Sequence, residues 1–498
     1  MPGQAVAAPL VGSEGEWLDP RSSPALALEL PALATALDPQ AMRMPLQETL
    51  FGNCQGRYSV ERCGPRQATY VPGLGCRLRY ELEVADRDTG VTFEPLVNAR
   101  VFSTPSAARG YLRERLMPLA ERARVRPDLA PLGEGVAVVE NLSTVVSVFP
   151  IDGELPALVD ASDPRRIAGI LSEALPAVAG RRPAIVDCRV SLGHYGRRHR
   201  CVLRYDVEAA RTNSRREHLV VYGKVAADDR GAVSHQAISA LREGMAAGDP
   251  ARRFRIPASL GFHPELGLSL LTSVPGQPQV GRLLEARVRG GEPAAWAALT
   301  LEASIESCAR VAAALHTSKI VLGRRRGPAD ELRELQRGIR AMGRISPDLA
   351  ARLGAALEQA EGRLRATRPL APCLSHGDFS SGQLLFEGAE CGLVDFDTIC
   401  QAEPALDLGH FLAYLRLAVL RAQKAAVDTN AVASEQLCER FLAAYLDAAD
   451  PELAEASLRE RLGGYELVSL LRLALHSWQK LKIGRLADVM AVLEDRLR

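Results

Sequence analysis

The hydrophobic and polar positions follow two periods along the chain, the alternation typical of strands and the spacing typical of helices. Strand alternation dominates the first half. The run RLRYELEV alternates side-chain types as a strand does, and a second run of this kind contains Val97 and Val101. The helical spacing of SAARGYLRERLMPLAERA follows, and VAVVENLSTVVSVFP predicts further strands. The first 160 residues are therefore predicted to form strand, strand, helix and strand, after a tail with one short helix.

The second half has helical periodicity almost throughout. After VPGQ (274–277), long amphipathic segments such as LEASIESCARVAAALH predict a helical lobe. The exception is CLSHGDFSSGQLLFEGAECGLVDFDT, in which LLF and CGLVDF predict two short strands around a Glu-Gly turn. Helices return from Leu406 to the C-terminus.

Part of the first-half pattern occurs twice, about 125 positions apart. Tyr70 and the run CRLRYELEV from Cys76 match Tyr195 and the run CVLRYDVEA from Cys201, and NARVF falls opposite YGKVA. This favours a duplicated α+β module, and the alternative is two unrelated hairpins that each precede a helix. The predicted domains are a tail (1–56), a degenerate first module (57–160), a helical linker (161–183), an intact second module (184–278) and a helical lobe (279–498).

Composition and charge exclude several classes of protein. The 498 residues include 61 Lys plus Arg and 60 Asp plus Glu, so the net charge of +1 provides no basic field for nucleic acid. No uncharged apolar run reaches the roughly 18 residues of a membrane span, and the N-terminus lacks the pattern of a signal peptide. The ten cysteines include no CxxC pair, which predicts reduced, mostly buried thiols in a cytoplasmic protein.

The residues with the clearest chemical meaning lie in the interrupted segment of the helical half. His376-Gly377-Asp378 precedes Gln383, and Asp395 follows in the sequence VDFD. Phosphoryl transfer needs a carboxylate that orients the attacking hydroxyl and hard oxygen ligands for Mg²⁺. Asp378 can face an acceptor hydroxyl, whereas Gln383 and Asp395 flank the predicted hairpin and can converge on a metal ion.

A cation for the phosphates must come from another part of the chain. Lys224 is the candidate, because it lies in the predicted strand EHLVVYGKVA and can project from a sheet toward phosphates. The alternative is a lysine on an exposed strand face. No GxxxxGK[ST], HExxH or GxSxG motif occurs. The sequence therefore lacks the key residues of Walker-type ATPases, zinc proteases and serine hydrolases.

The ordered set of motifs resembles the aminoglycoside phosphotransferase family, the small-molecule branch of the protein-kinase-like fold. The matching elements are YGKV with Lys224, VPGQ, AALH, HGDFSSGQLLF, VDFD and ALDLGHFLAYL. The resemblance implies an α+β, bilobal protein-kinase-like fold, with a β-rich small lobe and a mostly helical large lobe. The first module would be a degenerate duplicate of the small lobe.

The resemblance also implies roles for individual residues. Asp378 would be the catalytic base, Asp395 would bind Mg²⁺, and Lys224 would contact the α- and β-phosphates of ATP. Asp407 would brace the catalytic loop, and His376 would position that loop as a buried residue. The hinge between the lobes would contribute Val274 and Gly276 to the nucleotide site.

The sequence departs from the family pattern at two places. Gln383 stands where the family usually has Asn, so the carboxamide oxygen expected on Mg²⁺ reaches about one bond further. The acidic partner expected for Lys224 could be only Glu243, and a solvated glutamate at a helix end is the alternative. For Asp397, a metal role and a turn-capping role remain equally open.

The first module has Arg100 at the position of Lys224, and no HGD sequence follows it. Arginine keeps the positive charge and can bind phosphate, although packing is the favoured role. This module is expected to act as a cap, as a dimerisation surface or as a support for the second module.

The expected function is ATP- and Mg²⁺-dependent phosphorylation of a hydroxyl on a small metabolite, with no nucleic-acid or membrane partner. The alternative is a non-catalytic, kinase-like protein that binds nucleotide or regulates another protein. Residues 321–370 contain 11 Arg against 6 Asp plus Glu, a balance that would repel a polycationic aminoglycoside and favours a neutral or anionic acceptor. ATP and GTP are not distinguished.

Overall fold

The structure is a computed structural model of the single chain. It describes residues 17–54, 56–126, 129, 135–177, 182–196, 200–210, 216–248, 253–290, 297–425, 432–449 and 455–498. The motif residues discussed above all lie in these ranges.

The first module contains a six-stranded antiparallel sheet, called the first sheet. Its strands are β1 (Tyr58–Val71), β2 (Gly75–Asp86), β3 (Thr92–Phe93), β4 (Leu96–Val101), β5 (Val136–Val139) and β6 (Thr144–Val148). Their order is β1-β2-β4-β6-β5, and β3 pairs with β2. Helices α4 (Pro105–Tyr111) and α5 (Met117–Arg124) lie between β4 and β5 in the chain, as the spacing of apolar residues predicts.

The second module contains a five-stranded sheet, called the second sheet. Its strands are β7 (Ala184–Tyr195), β8 (Arg200–Ala210), β9 (Arg216–Ala226), β10 (Ser259–His263) and β11 (Leu268–Thr272), and α8 (Arg230–Ala247) follows β9. The strand order, written from β7, is β7-β8-β9-β11-β10. In each sheet, the third long strand (β4 or β9) therefore lies beside the last strand (β6 or β11). A helical segment lies between these two strands in the chain.

Strand register shows that the two sheets match residue by residue. Cys76 lies opposite both Tyr70 and Val101, and Cys201 lies opposite both Tyr195 and Val225. Arg100 and Lys224 each immediately precede the valine of their set, so they occupy equivalent positions on the third long strand.

Each sheet is also covered by a pair of helices that precedes it in the chain. Helices α2 (Leu33–Leu37) and α3 (Pro39–Phe51) precede the first sheet, and α6 (Leu158–Ala161) and α7 (Pro164–Ala174) precede the second. Asp38 and Asp163 cap α3 and α7, each with proline at the first helical position. The shared plan is what a duplication would produce, and a common origin of the two modules stays a prediction.

The expectation of a tail with one short helix is wrong for the part of 1–56 that the structure describes. Three helices are present there, namely α1 (Pro24–Glu29), α2 and α3. One leucine of each helix, namely Leu26, Leu33 and Leu46, is fully buried in the main core. The segment folds because proline starts two of these helices and the leucines then cover the first sheet.

The helical lobe follows the second sheet. Its helices are α9 (Val280–Val288), α10 (Leu301–His316), α11 (Pro328–Gly343), α12 (Pro347–Ala366), α13 (Pro404–Lys424), α14 (Ser434–Ala448), α15 (Glu455–Gln479) and α16 (Ile483–Leu497). The interrupted segment forms β12 (Cys373–Ser375), β13 (Leu384–Glu387), β14 (Glu390–Leu393) and β15 (Cys400–Ala402). The two strands predicted around the Glu-Gly turn are thus present as the β13-β14 hairpin. The α+β bilobal fold class is confirmed.

The first module contacts both other parts of the chain. The rings of Tyr70 on β1 and Trp478 on α15 are 5.6 Å apart. In the segment before the module, the backbone N–H of Leu18 donates to the carbonyl of Leu481 in the same lobe. On the other face of the first sheet, the Arg79 guanidinium donates to the carbonyl of Tyr195 at 2.8 Å. The module is therefore joined to the helical lobe through one face and to the second sheet through the other.

Two expectations about the whole chain can be compared with the structure. All ten cysteines lie in the described ranges as free thiols, and seven of them are buried. Among the described residues, no helix combines the length and the apolar character that crossing a bilayer requires.

A buried ion pair fixes the start of α13, the helix that carries Asp407. Arg461 on α15 is fully buried and donates to both carboxylate oxygens of Glu403, with 2.8 Å from its Nε to Oε2. Glu403 also accepts hydrogen bonds from the Tyr465 hydroxyl and the Leu370 backbone N–H.

We predict that Arg461→Leu lowers the free energy of unfolding by about 3–5 kcal/mol, because it leaves the Glu403 carboxylate buried without a cation. Denaturant unfolding measures this change. The matched control is Arg459→Leu on the same helix, which removes only exposed ion pairs with Glu455 and Glu439 and should change the stability by less than about 1 kcal/mol. Equal losses in the two variants would contradict the prediction.

Candidate active site

The loop after β12 holds the HGD sequence in one conformation. The Asp407 carboxylate accepts hydrogen bonds from the backbone N–H groups of His376 (2.6 Å) and Gly377 (2.7 Å). Gly377 has φ of +78°, and a Cβ there would lie 2.4 Å from the carbonyl oxygen of Thr398, so only glycine fits. The ring of His376 is buried and its Nε2 donates to the carbonyl of Val394 at 3.0 Å. These contacts match the supporting roles expected for His376 and Asp407.

Asp407 stays ionised although it is fully buried. Burial alone would raise its pKa, but a hydrogen bond from His316 and the N–H donors of the loop outweigh burial and hold the pKa below its ordinary value. The Nε2 atom of His316 lies 3.2 Å from the Asp407 carboxylate. The AALH motif therefore supplies a partner for this carboxylate, a role that the sequence did not reveal.

Asp378 is the member of this loop that reaches solvent. Its side chain is 40% exposed, and Oδ1 accepts a hydrogen bond from Nε2 of His410 at 3.0 Å. Burial acts to raise the pKa of Asp378, but the His410 hydrogen bond and the nearby charges keep it below its ordinary value. His410 is a buried residue of α13, three positions after Asp407. Asp407 and His410, one turn apart on this helix, therefore hold the loop backbone and the side chain of Asp378.

A second cluster forms where β9 faces the segment after β14. The ammonium of Lys224 lies 2.6 Å from Oδ1 of Asp395 and 3.1 Å from Oδ1 of Asp397. Asp395 has φ of +70°, in the left-handed region, and this turns its carboxylate toward β9. Burial opposes the charge on Lys224, but the two carboxylates outweigh it and raise its pKa. The structure thus brings together Lys224 and Asp395, which are 171 positions apart in the chain.

Gln383 lies beside the same carboxylate. Its Nε2 atom is 3.4 Å from Oδ2 of Asp395, and its backbone N–H donates to the carbonyl of Ser380 at 3.0 Å. The carboxamide and the carboxylate that flank the β13-β14 hairpin therefore converge, as the sequence predicted.

Arg200 is a component of the site that the sequence analysis missed. It is the first residue of β8, and its Nη1 lies 2.6 Å from Oδ2 of Asp397. Burial acts to lower the pKa of Arg200, but the charges of Asp397, Asp395 and Asp378 together raise it. Of these three carboxylates, Asp397 is the one in direct contact with the guanidinium. Asp397 connects the two cations, a contact that the sequence did not reveal, and a metal role for it stays a prediction.

The structure does not pair Lys224 with Glu243. The ion pairs of Lys224 among the described residues are with Asp395 and Asp397, whereas Glu243 is exposed near the C-terminal end of α8. The buried face of this helix consists of uncharged residues, among them Ala237, Ile238 and Leu241. The expected partner is wrong because α8 presents no acidic side chain on the face that packs inward.

The hinge residues lie where the second sheet joins the helical lobe. Val274 is half-buried, and Gly276 has φ of +105°. A Cβ on Gly276 would come within 2.5 Å of the backbone of Phe386 in β13, so the hinge passes this strand too closely for any other residue. The next residue, Gln277, exchanges two backbone hydrogen bonds with Phe386. The hinge is therefore connected directly to the hairpin that carries the metal-site candidates.

The comparisons with known proteins agree with this geometry. The family model described as "Phosphotransferase enzyme family" matches residues 268–460, a stretch that contains Asp378, Gln383, Asp395 and Asp407. The resemblance inferred from the motifs is confirmed over this stretch, and a phosphotransferase is the class of protein that it indicates. No curated protein matches the chain.

Several solved structures are similar to the chain at low identity. A choline kinase from Cryptosporidium parvum is 10% identical, with a TM-score of 0.44, and the alignment covers 67% of this chain and 94% of that protein. A choline/ethanolamine kinase family protein from Mesorhizobium loti is 15% identical, with a TM-score of 0.39, and the alignment covers 61% and 88%. A thermostable mutant of an aminoglycoside phosphotransferase is 16% identical, with a TM-score of 0.39, and the alignment covers 63% and 95%.

The contact between His410 and Asp378 leads to a prediction about protonation. Replacing His410 with leucine removes the donor, so the pKa of Asp378 should rise. Because a depressed carboxylate pKa keeps the group ionised down to lower pH, Asp378 should become protonated at higher pH in the variant than in the wild type. A ¹³C NMR titration of the aspartate carboxyl carbons measures this, with Asp378→Asn identifying the signal. The control is His218→Leu, an exposed histidine on β9, and an unchanged Asp378 titration in His410→Leu would contradict the assignment.

Proposed function

We propose that the protein is an ATP- and Mg²⁺-dependent kinase that transfers a phosphoryl group to a hydroxyl of a small metabolite. The observation that carries this proposal is the pairing of Lys224 and Arg200 on the second sheet with Asp395 and Asp397 on the helical lobe. The charge of Asp378 also acts on Arg200. Phosphoryl transfer depends on positioning and charge stabilisation, and these side chains provide both.

Asp378 is proposed as the catalytic base. Its carboxylate is accessible, ionised and held by His410, so it can accept a hydrogen bond from an acceptor hydroxyl and take its proton as the bond to phosphorus forms. Asp407 keeps the loop backbone fixed while this occurs. The orientation of the base is thus set before the acceptor binds.

Lys224 and Arg200 are proposed to contact the phosphates of the nucleotide. Both cations are held by carboxylates on the helical lobe, and both project from the second sheet. The hinge at Val274 and Gly276 joins the second sheet to the helical lobe and is proposed to contact the nucleotide base. Whether the base is adenine or guanine depends on contacts with this hinge.

The metal-site candidates fit Mg²⁺. Among the described residues, no group of three or more His, Cys, Asp or Glu side chains forms a preformed metal cage. Mg²⁺ is commonly held by one or two carboxylates together with phosphates and water, a demand that Asp395, Asp397 and the Gln383 oxygen can meet. When bound there, Mg²⁺ would offset the charge of the phosphates.

The proposed acceptor is neutral or anionic. Arg324 and Arg325 are exposed on a segment whose backbone pairs with β15, next to the strand that leads into the catalytic loop. Several other arginines of 321–370 are engaged in ion pairs, such as Arg326 with Glu331 and Arg365 with Glu361. The two exposed arginines beside β15 would therefore repel a polycation and attract an acidic acceptor.

Asp378→Asn and Asp395→Asn should separate the two carboxylate roles. Asp378→Asn should lower kcat by on the order of a hundredfold or more and leave nucleotide affinity nearly unchanged, because the base does not contact the nucleotide. Asp395→Asn should also weaken metal-dependent nucleotide binding. Turnover of ATP against a metabolite panel, followed by ³¹P NMR, and calorimetry with a non-hydrolysable ATP analogue measure these effects. Asp348→Asn, at an exposed position of α12, is the control, and equal small effects of both site changes would count against the assignment.

Substitution of Gln383, which stands where the family usually has Asn, distinguishes a kinase from a non-catalytic nucleotide-binding protein. Gln383→Leu removes the carboxamide oxygen and should raise the Mg²⁺ concentration needed for ATP turnover, whereas Gln383→Asn should have a smaller effect because it keeps the oxygen. The control is Gln336→Leu on the exposed face of α11. If the wild type and Gln383→Leu bind Mg²⁺-ATP equally and neither turns over with a broad acceptor panel, the non-catalytic function replaces the kinase.

A further inference from the structure

A cavity lies on the face of the first sheet that corresponds to the nucleotide face of the second. It has a volume of about 80 Å³, and its lining includes Gln67, Arg77, Arg79, Asn98, Arg100 and Tyr195. Arg100 occupies the position of Lys224, and the residues after β6 that line the cavity, 152–155, follow the sheet as the hinge follows β11. The first sheet therefore retains a polar cavity although it has no HGD loop.

The two carboxylates in the wall of the cavity are already engaged. Glu154 forms an ion pair with Arg100 at 2.6 Å, and Asp152 accepts a hydrogen bond from the Tyr195 hydroxyl. Asp152 also accepts the backbone N–H of Glu154 at 2.7 Å. The charge of Arg100 is thus balanced within the protein.

Arg79 forms no direct ion pair with either carboxylate, although the charge of Asp152 in the same wall acts on it. Its guanidinium donates to oxygens of uncharged groups, namely Gln67 (2.7 Å), Asn98 (3.2 Å) and the backbone of Tyr195 (2.8 Å), and it stacks on the Tyr195 ring at 3.5 Å. None of the ion pairs formed between described residues includes Arg79. Burial accordingly lowers the pKa of Arg79 below its ordinary value, although nearby groups oppose this. A bound anion would relieve the cost of burying this charge.

The size of the cavity limits the ligand. A water molecule needs roughly 10–15 Å³ of such volume, so the cavity has room for several waters or for one tetrahedral anion, and a whole nucleotide does not fit. Guanidinium groups match phosphate because their planar N–H donors can bind two oxygens at once.

We propose that this cavity is a binding site for a phosphate group, with the Arg79 guanidinium as its principal cation. The ligand is either inorganic phosphate or the phosphate end of a small phosphomonoester whose remainder extends toward solvent. The proposal does not depend on catalysis at the second sheet, because it concerns a separate set of residues.

Calorimetric titration of the full chain with orthophosphate, and separately with glycerol 3-phosphate, tests the site. Arg79→Gln should weaken binding by about tenfold to a hundredfold, the loss expected when hydrogen bonds from a charged group are removed. Arg200→Gln removes a cation of the candidate active site and should leave this binding intact. Arg66→Gln, which removes an exposed arginine of β1, is the matched control on the same sheet. Tighter binding of glycerol 3-phosphate than of orthophosphate would identify a phosphomonoester as the ligand, and the reverse would identify free phosphate.

If Arg79→Gln does not fold, hydrogen–deuterium exchange of the wild type, with and without phosphate, tests the site instead. Phosphate should protect backbone amides of residues 152–155 and 195–196, which line the cavity. The proposal is overturned if Arg79→Gln binds phosphate as tightly as the wild type. It is also overturned if binding is lost in Arg200→Gln with protection confined to residues 376–383 and 395–398, since phosphate would then occupy only the second-sheet cleft.

Discussion

The buried carboxylate of Asp407 is the interaction on which the geometry of the candidate site depends. Removing a carboxylate from water is unfavourable by several kcal/mol, and here two backbone N–H groups and His316 compensate for the lost solvent. Those same two N–H groups belong to the HGD loop, so the loop conformation that satisfies Asp407 is also the one that presents Asp378. Helix α13 carries both Asp407 and His410. The Glu403–Arg461 ion pair, which holds the start of this helix, therefore also helps to hold the HGD loop.

The sequence predicted the parts of this arrangement that lie close together in the chain. The HGD loop, the hairpin and Asp395 fall within a stretch of some twenty residues, and local spacing is enough to place them. Lys224 was identified as a candidate because it lies in a predicted strand, where its side chain projects from the sheet. Arg200 and His410 were missed, since their roles come from contacts that only the folded chain creates: Arg200 meets Asp397 across 197 positions and His410 meets Asp378 across 32.

One missed feature of the fold did have a signal in the sequence. ELPALATALDP (29–39) and ELPALVDASDP (154–164) share eight of eleven residues at the same spacing of 125 that separates Tyr70 from Tyr195. In each copy the alanine of this phrase, Ala36 or Ala161, accepts a hydrogen bond from a tyrosine of the following sheet. The predicted boundaries after 56 and after 183 therefore separate each helical segment from the sheet it covers, and the boundary after 160 cuts through α6. The Glu243 error has another cause, because sequence distance along a helix does not show which side faces the lysine.

The charges in the cleft of the second sheet have a consequence for what can enter it. Lys224 and Arg200 are paired with Asp395 and Asp397, and Asp378 adds a third carboxylate, so these five side chains carry one more negative charge than positive. A polyphosphate that arrives alone meets repulsion, and the two cations can turn to it only by leaving their carboxylates unpaired. A polyphosphate that arrives with a divalent cation provides those carboxylates with a new counter-charge. Under the proposed function, these charges would thus favour a nucleotide that arrives together with its divalent cation.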